Sequence, residues 1–186
     1  ALSSAQLIVE NGGGYDDFMQ TMVASAGTQA PVITAVDASG VTPQDGELNE
    51  HVWYDLPGTI KVADAIAGEL ATIDPANAST YQANSATFDQ AVNDLITQAE
   101  AIKAGHDGAP VAITEPVPVY LLETAGLKNV TPPEFSEAIE NETDVPASVM
   151  NETLALFTGQ QVKLLAYNEQ TTGPNNASVS FMTLAG

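Results

Sequence analysis

Short apolar runs alternate with amphipathic stretches along the chain, and glycine or proline marks most of the boundaries. Leu7-Ile8-Val9 reads as a short buried strand running into a glycine turn, Asn11-Gly12-Gly13-Gly14. A helix is predicted from near Tyr15, with Phe18, Met19, Met22, Val23 and Ala26 on one face, and Gly27 stops it. Pro31 to Val36 is a second apolar strand, and the polar, turn-rich stretch Asp37 to Asn49 is a predicted surface loop. After His51-Val52-Trp53-Tyr54-Asp55, Pro57 opens a helix carrying Ile60, Ala63, Ile66, Ala67, Leu70 and Ile73.

Asp74-Pro75 combines an N-cap carboxylate with proline in the first helical turn. Beyond it Tyr81, Phe88, Val92, Leu95, Ala99 and Ile102 recur at spacings of seven, four, three, four and three. The spacing predicts one helix of about 30 residues, about 45 Å long, ended by Gly105. Val111 to Thr114 is another buried strand, and Pro118 to Ala125 a short helix closed by Gly126. Helical segments follow at Glu134 to Glu140 and Pro146 to Thr158, then a last strand at Gln161 to Asn168. Residues 175–186 carry no periodic pattern. Alternation of strand and helix predicts an α/β fold with mainly parallel sheets, in two lobes joined by the long helix. The boundaries fall at 1–74, 75–105 and 106–186.

Charge narrows the function. Twenty-four acidic residues against four lysines give a net charge of −20, with no arginine and no cysteine. Nucleic-acid binding needs cations that displace counterions, so it is excluded, and so is a polybasic membrane patch. Thiolate chemistry and disulfides are absent. No apolar run approaches the roughly 18 residues of a spanning helix. A negative field also concentrates divalent cations.

Few residues could carry chemistry. The triple glycine matches neither GxGxxG nor a P-loop, and Asp16 and Asp17 stand where a phosphate would sit, satisfying the helix dipole themselves. No G-x-S-x-G nucleophile elbow exists for a serine hydrolase. His106, in Gly105-His106-Asp107-Gly108, reads as a turn residue closing the long helix. His51 follows a polar loop and precedes a helix. Glu115 lies directly after the Val111–Thr114 strand, between prolines, where ligands of α/β sheets bind.

Five segments in order resemble the zinc- and manganese-binding solute-binding proteins of bacterial ABC importers. They are Asn11-Gly-Gly-Gly-Tyr-Asp-Asp-Phe, Asn49-Glu-His-Val-Trp-Tyr-Asp-Leu-Pro and Asp74-Pro-Ala-Asn-Ala-x-x-Tyr, then Thr114-Glu-Pro-Val-Pro-x-Tyr-Leu-Leu-Glu-x-Ala-Gly-Leu and Tyr167-Asn-Glu-Gln-Thr-x-Gly-Pro. The resemblance covers about residues 1–174 and implies a metal held in a cleft between the lobes. It implies that His51 supplies an imidazole nitrogen and Glu115 one or two oxygens, with Glu169 a candidate just outside them. A mixed histidine and carboxylate set suits manganese or iron as well as zinc.

The family's first histidine belongs to an upstream Asp-Pro-His segment and its last carboxylate to a C-terminal strand-helix unit. The chain is read as lacking both. The resemblance further implies a binder and not an enzyme, an extracytoplasmic location as a cell-surface lipoprotein or secreted protein, and an ABC permease as partner. The alternative reading is a structural protein derived from that fold with an incomplete metal site, self-associating through bare strand edges. Five Asn-x-Ser/Thr sequons, at Asn77, Asn129, Asn141, Asn151 and Asn176, are read as incidental.

Overall fold

The computed structural model describes residues 2–44, 46–159, 161–162 and 164–171. The patternless stretch 175–186, the Gly173-Pro174 step and the sequon at Asn176 lie outside these residues. The chain divides into two units, Ala1–Gln98 and Ala99–Gly186.

The first unit opens with β1 (Ile8–Glu10), the glycine turn, α1 (Phe18–Ala26) and β2 (Val32–Thr34). β1 and β2 pair in parallel, Val9 opposite Ile33. The strand expected to reach Val36 ends at Thr34, because α2 (Ala35–Ser39) begins there and runs to Gly40 in the left-handed conformation. Part of the expected surface loop is therefore helix. Its Val36 and Ser39 are buried, and the Ser39 carbonyl accepts a hydrogen bond from Lys61 Nζ at 2.8 Å. Lys61 belongs to α3 (Leu56–Ile73), which has Pro57 in its first turn as expected. Ile8, Val36, Val52, Ala67 and Val92 form the buried apolar set here.

The long helix is present as α4 (Ala78–His106), preceded by a 3-10 turn at Pro75–Asn77. Asp74 accepts from Asn77 Nδ2 at 2.7 Å and from Tyr81 Oη at 3.0 Å, so its carboxylate holds the turn that starts the helix. The predicted apolar stripe splits: Val92 and Ala99 are buried, whereas Phe88, Leu95 and Ile102 are exposed.

The second unit is a three-stranded parallel sheet with β3 (Pro110–Ile113) central between β4 (Lys128–Asn129) and β5 (Leu165–Ala166). Both faces of β3 are covered, as a parallel sheet requires. Val111 and Ile113 pack with Leu122 of α5 (Val119–Thr124). Ala112 packs on the other side with Leu156 of α7 (Ala147–Thr158) and Val162. Phe135 and Ile139 of α6 (Pro133–Glu140) extend that core. The last strand is shorter than its apolar pattern suggested. β4 was unannounced, since Lys128-Asn129 offers no apolar signal. Among the described residues no helix is long and apolar enough to cross a membrane.

Candidate metal centre

The glycine turn shapes the surroundings of His51. Gly12, Gly13 and Gly14 all have positive φ, a conformation that side chains disfavour. A Cβ at Gly13 would lie 3.0 Å from Glu50 Cβ and 3.1 Å from Leu48 Cδ2, so the bare backbone lets the turn approach the loop before His51. Asn11 Nδ2 joins the two by donating to the Glu50 carbonyl at 2.9 Å. Asp16 holds the turn from inside. Its carboxylate accepts from the backbone N–H of Asn11 at 2.7 Å and of Gly12 at 2.8 Å. This agrees with the self-satisfied loop read from the sequence: Asp16 makes these bonds, and among the described residues Asp17 makes no side-chain cap.

His51 is 5 % exposed and precedes the 3-10 turn Val52–Tyr54. Two donors converge on Asn49 Oδ1, the His51 backbone N–H at 3.1 Å and ring Nδ1 at 2.7 Å. Because the backbone N–H can only donate, the amide oxygen must face it, and Nδ1 must then carry a proton. In a neutral ring the lone pair therefore lies on Nε2. Tyr15 and Trp53 stand edge-on to the imidazole, at centroid distances of 6.1 and 5.1 Å. Glu50, which the sequence reading passed over, brings a carboxylate oxygen within 4.8 Å of a His51 nitrogen.

Glu115, 7 % exposed, lies two residues beyond β3. Asn168 lies two residues beyond β5, and the parallel register pairs Ile113 with Ala166. Asn168 Nδ2 accordingly donates to Glu115 Oε2 at 3.2 Å, while Asn168 Oδ1 accepts from the Gln170 N–H at 3.0 Å. Glu169 begins the next 3-10 turn and is exposed. Asn168 is a residue that orients Glu115. A tyrosine-asparagine pair at the end of an apolar run was the available signal, legible only once strand register was known.

A separate cavity of about 410 Å³ lies at the amino end of the second unit's strands, lined by Ile102, His106, Val111, Leu127, Gln161 and Leu164. Its lining is mostly apolar and His106 is its one strong ligating side chain, so it is not built for a cation.

Solved structures similar to this chain include a solute-binding protein and a periplasmic metal-binding protein. The solute-binding protein FpvC of Pseudomonas aeruginosa, in complex with Ni²⁺, is 25 % identical with a TM-score of 0.74, and the match covers all of this chain and 67 % of that one. A Mn-bound S38A mutant of the periplasmic metal-binding protein of Candidatus Liberibacter asiaticus has 21 % identity and a TM-score of 0.76, covering 100 % and 69 %. The Cd-bound form of the latter protein gives 21 % and 0.74, covering 98 % and 67 %. The family model of the periplasmic zinc-uptake complex component A, ZnuA, matches residues 1–180, and the chain belongs to that family. This is a substrate-binding, non-catalytic and extracytoplasmic class. The resemblance read from the motifs and the α/β fold class are both borne out.

Proposed function

We propose that this chain captures a divalent transition metal, zinc or manganese, and delivers it to an ABC permease, without catalysing a reaction. His51 supplies Nε2, Glu115 supplies carboxylate oxygens, Glu50 adds a carboxylate beside His51, and Glu169 stands just outside the ligands. Two observations support this reading, each within its own unit: a buried imidazole whose proton is directed to Asn49 in the first, and a buried carboxylate that accepts from Asn168 in the second. A histidine and carboxylates are donors that zinc and manganese both accept. The Ni-, Mn- and Cd-bound proteins of the same fold support it. Anchoring as a cell-surface lipoprotein or release as a secreted protein belongs to the same proposal, and fractionation of the producing cell separates the two.

Calorimetry with zinc and manganese at moderate salt tests the capture step. His51→Ala and Glu115→Gln are each expected to abolish the saturable component and leave a weak one, due to scattered carboxylates, that salt screens away. Binding unchanged in both variants overturns the proposal.

Self-association is a second reading, supported by exposed Val9 and Val32 on the β1–β2 pair and by exposed Phe18 and Met22 on α1. Sedimentation should then show oligomers increasing with salt, as repulsion among the acidic residues is screened. A monomer at every salt concentration removes this reading.

A further inference from the structure

We propose that Asn49 is a positioning residue that fixes the tautomer of His51, and so decides which ring nitrogen meets the metal. The inference rests on the metal-capture reading above but concerns a residue that touches no metal.

An imidazole in water exchanges between two neutral tautomers, and only the nitrogen without a proton can bind a cation. At His51 one amide oxygen constrains the choice. Asn49 Oδ1 accepts from ring Nδ1 at 2.7 Å and from the His51 backbone N–H at 3.1 Å. The second bond makes the first informative. With Oδ1 pinned by a backbone donor, the amide cannot rotate its NH₂ toward the ring without losing that bond, so Nδ1 is held as the donor. The ring is also held in place. Tyr15 and Trp53 stand edge-on to it and also to each other, at 5.0 Å, so a turned imidazole would lose both contacts. Asn49 and His51 are only two residues apart, so the lock is built locally, within the first unit.

Asparagine suits this role better than aspartate would in one respect. An amide oxygen orients the proton without adding another negative charge to a chain that already carries −20. Aspartate at the same position would still accept from both donors, which makes it the conservative variant. Serine, with a shorter side chain, can keep the backbone bond as a turn residue but cannot reach Nδ1.

Long-range ¹H–¹⁵N correlation spectra of the metal-free, ¹⁵N-labelled chain distinguish the two tautomers, and His106→Gln removes the other imidazole from the spectrum. In the parent, the unprotonated nitrogen of His51 should be Nε2. Asn49→Ala and Asn49→Ser should shift the population toward the other tautomer, and Asn49→Asp should restore it. Zinc and manganese affinities measured by calorimetry should fall ~10–100-fold in the alanine and serine variants and recover with aspartate. If His51 keeps its Nδ1 proton in both the alanine and the serine variant, the proposal is overturned, whatever the affinities do. If the tautomer shifts while neither the parent nor His51→Ala binds metal differently, Asn49 sets the ring as stated and the capture reading fails instead. A variant that loses stability but keeps the parent tautomer identifies Asn49 as a turn residue only.

Discussion

Glu115 and Asn168 stand at the same offset beyond two paired parallel strands, and the register of those strands brings them to 3.2 Å. A buried carboxylate that loses such a donor bears its desolvation with less compensation. Asn168→Ala is therefore expected to destabilise the protein by about 1–3 kcal/mol. Thermal unfolding should show a drop of several degrees, and an unchanged midpoint would remove Asn168 as a support of Glu115.

Asp89 on α4 presents the opposite situation. Its Oδ1 is buried with no hydrogen-bond partner among the described residues, and Asp64 of α3, which accepts from Ser85 at 3.0 Å, is close enough to repel it. Withdrawal from water and then the Asp64 charge push its pKa above the usual 3.8. A carboxyl group raised on folding costs stability when ionised, and that cost disappears as pH falls through the folded value toward the unfolded one. Asp89→Asn should raise the melting temperature at neutral pH. The gain should shrink on acidification, and a gain equal at all pH values would contradict the assignment.

Asp74 runs the other way. Hydrogen bonds from Asn77 and then Tyr81 hold its pKa below 3.8, and the Tyr81 phenol is raised in return. Stability from this site is present above the unfolded value and is lost as pH falls through the lower, folded one. Tyr81→Phe should be less stable than the parent near neutrality and should converge with it in strong acid. Urea unfolding from about pH 6 to about pH 2 checks the convergence.

Phe135 has no exposed surface and anchors α6 against α7 and the sheet. Phe135→Ala should cost about 3–5 kcal/mol through the cavity it leaves. Denaturant titration would read this as a lower midpoint, and a loss under 1 kcal/mol would mean that the core collapses around the gap.

Much of the architecture was legible because apolar runs and capping residues act locally. The Val111–Thr114 strand, the helix opened by Pro57 and the long helix after Asp74-Pro75 each appear close to the expected place. α2 was missed because five residues give too little periodicity, and its caps are a threonine whose hydroxyl turns to Glu10 instead of capping the helix and a glycine. β4 exists through backbone pairing of a lysine and an asparagine, a choice made by tertiary context. His51 and Glu115 were named by motif. Their two asparagines were not, because an amide's importance lies in what faces it. At Asn49 that partner is two residues away, and at Asn168 it is 53 positions distant.

Asp16 closes the glycine turn from within the chain, and this makes the loop indifferent to its surroundings. A carboxylate tethered a few residues from its donors acts at an effective concentration of ~1 mM or more, so dissolved phosphate or sulfate meets a seat already taken. The backbone donors of the turn beside His51 are thus already occupied by a carboxylate of the chain itself. A protein working outside the cytoplasm cannot choose its buffer. This loop carries its own.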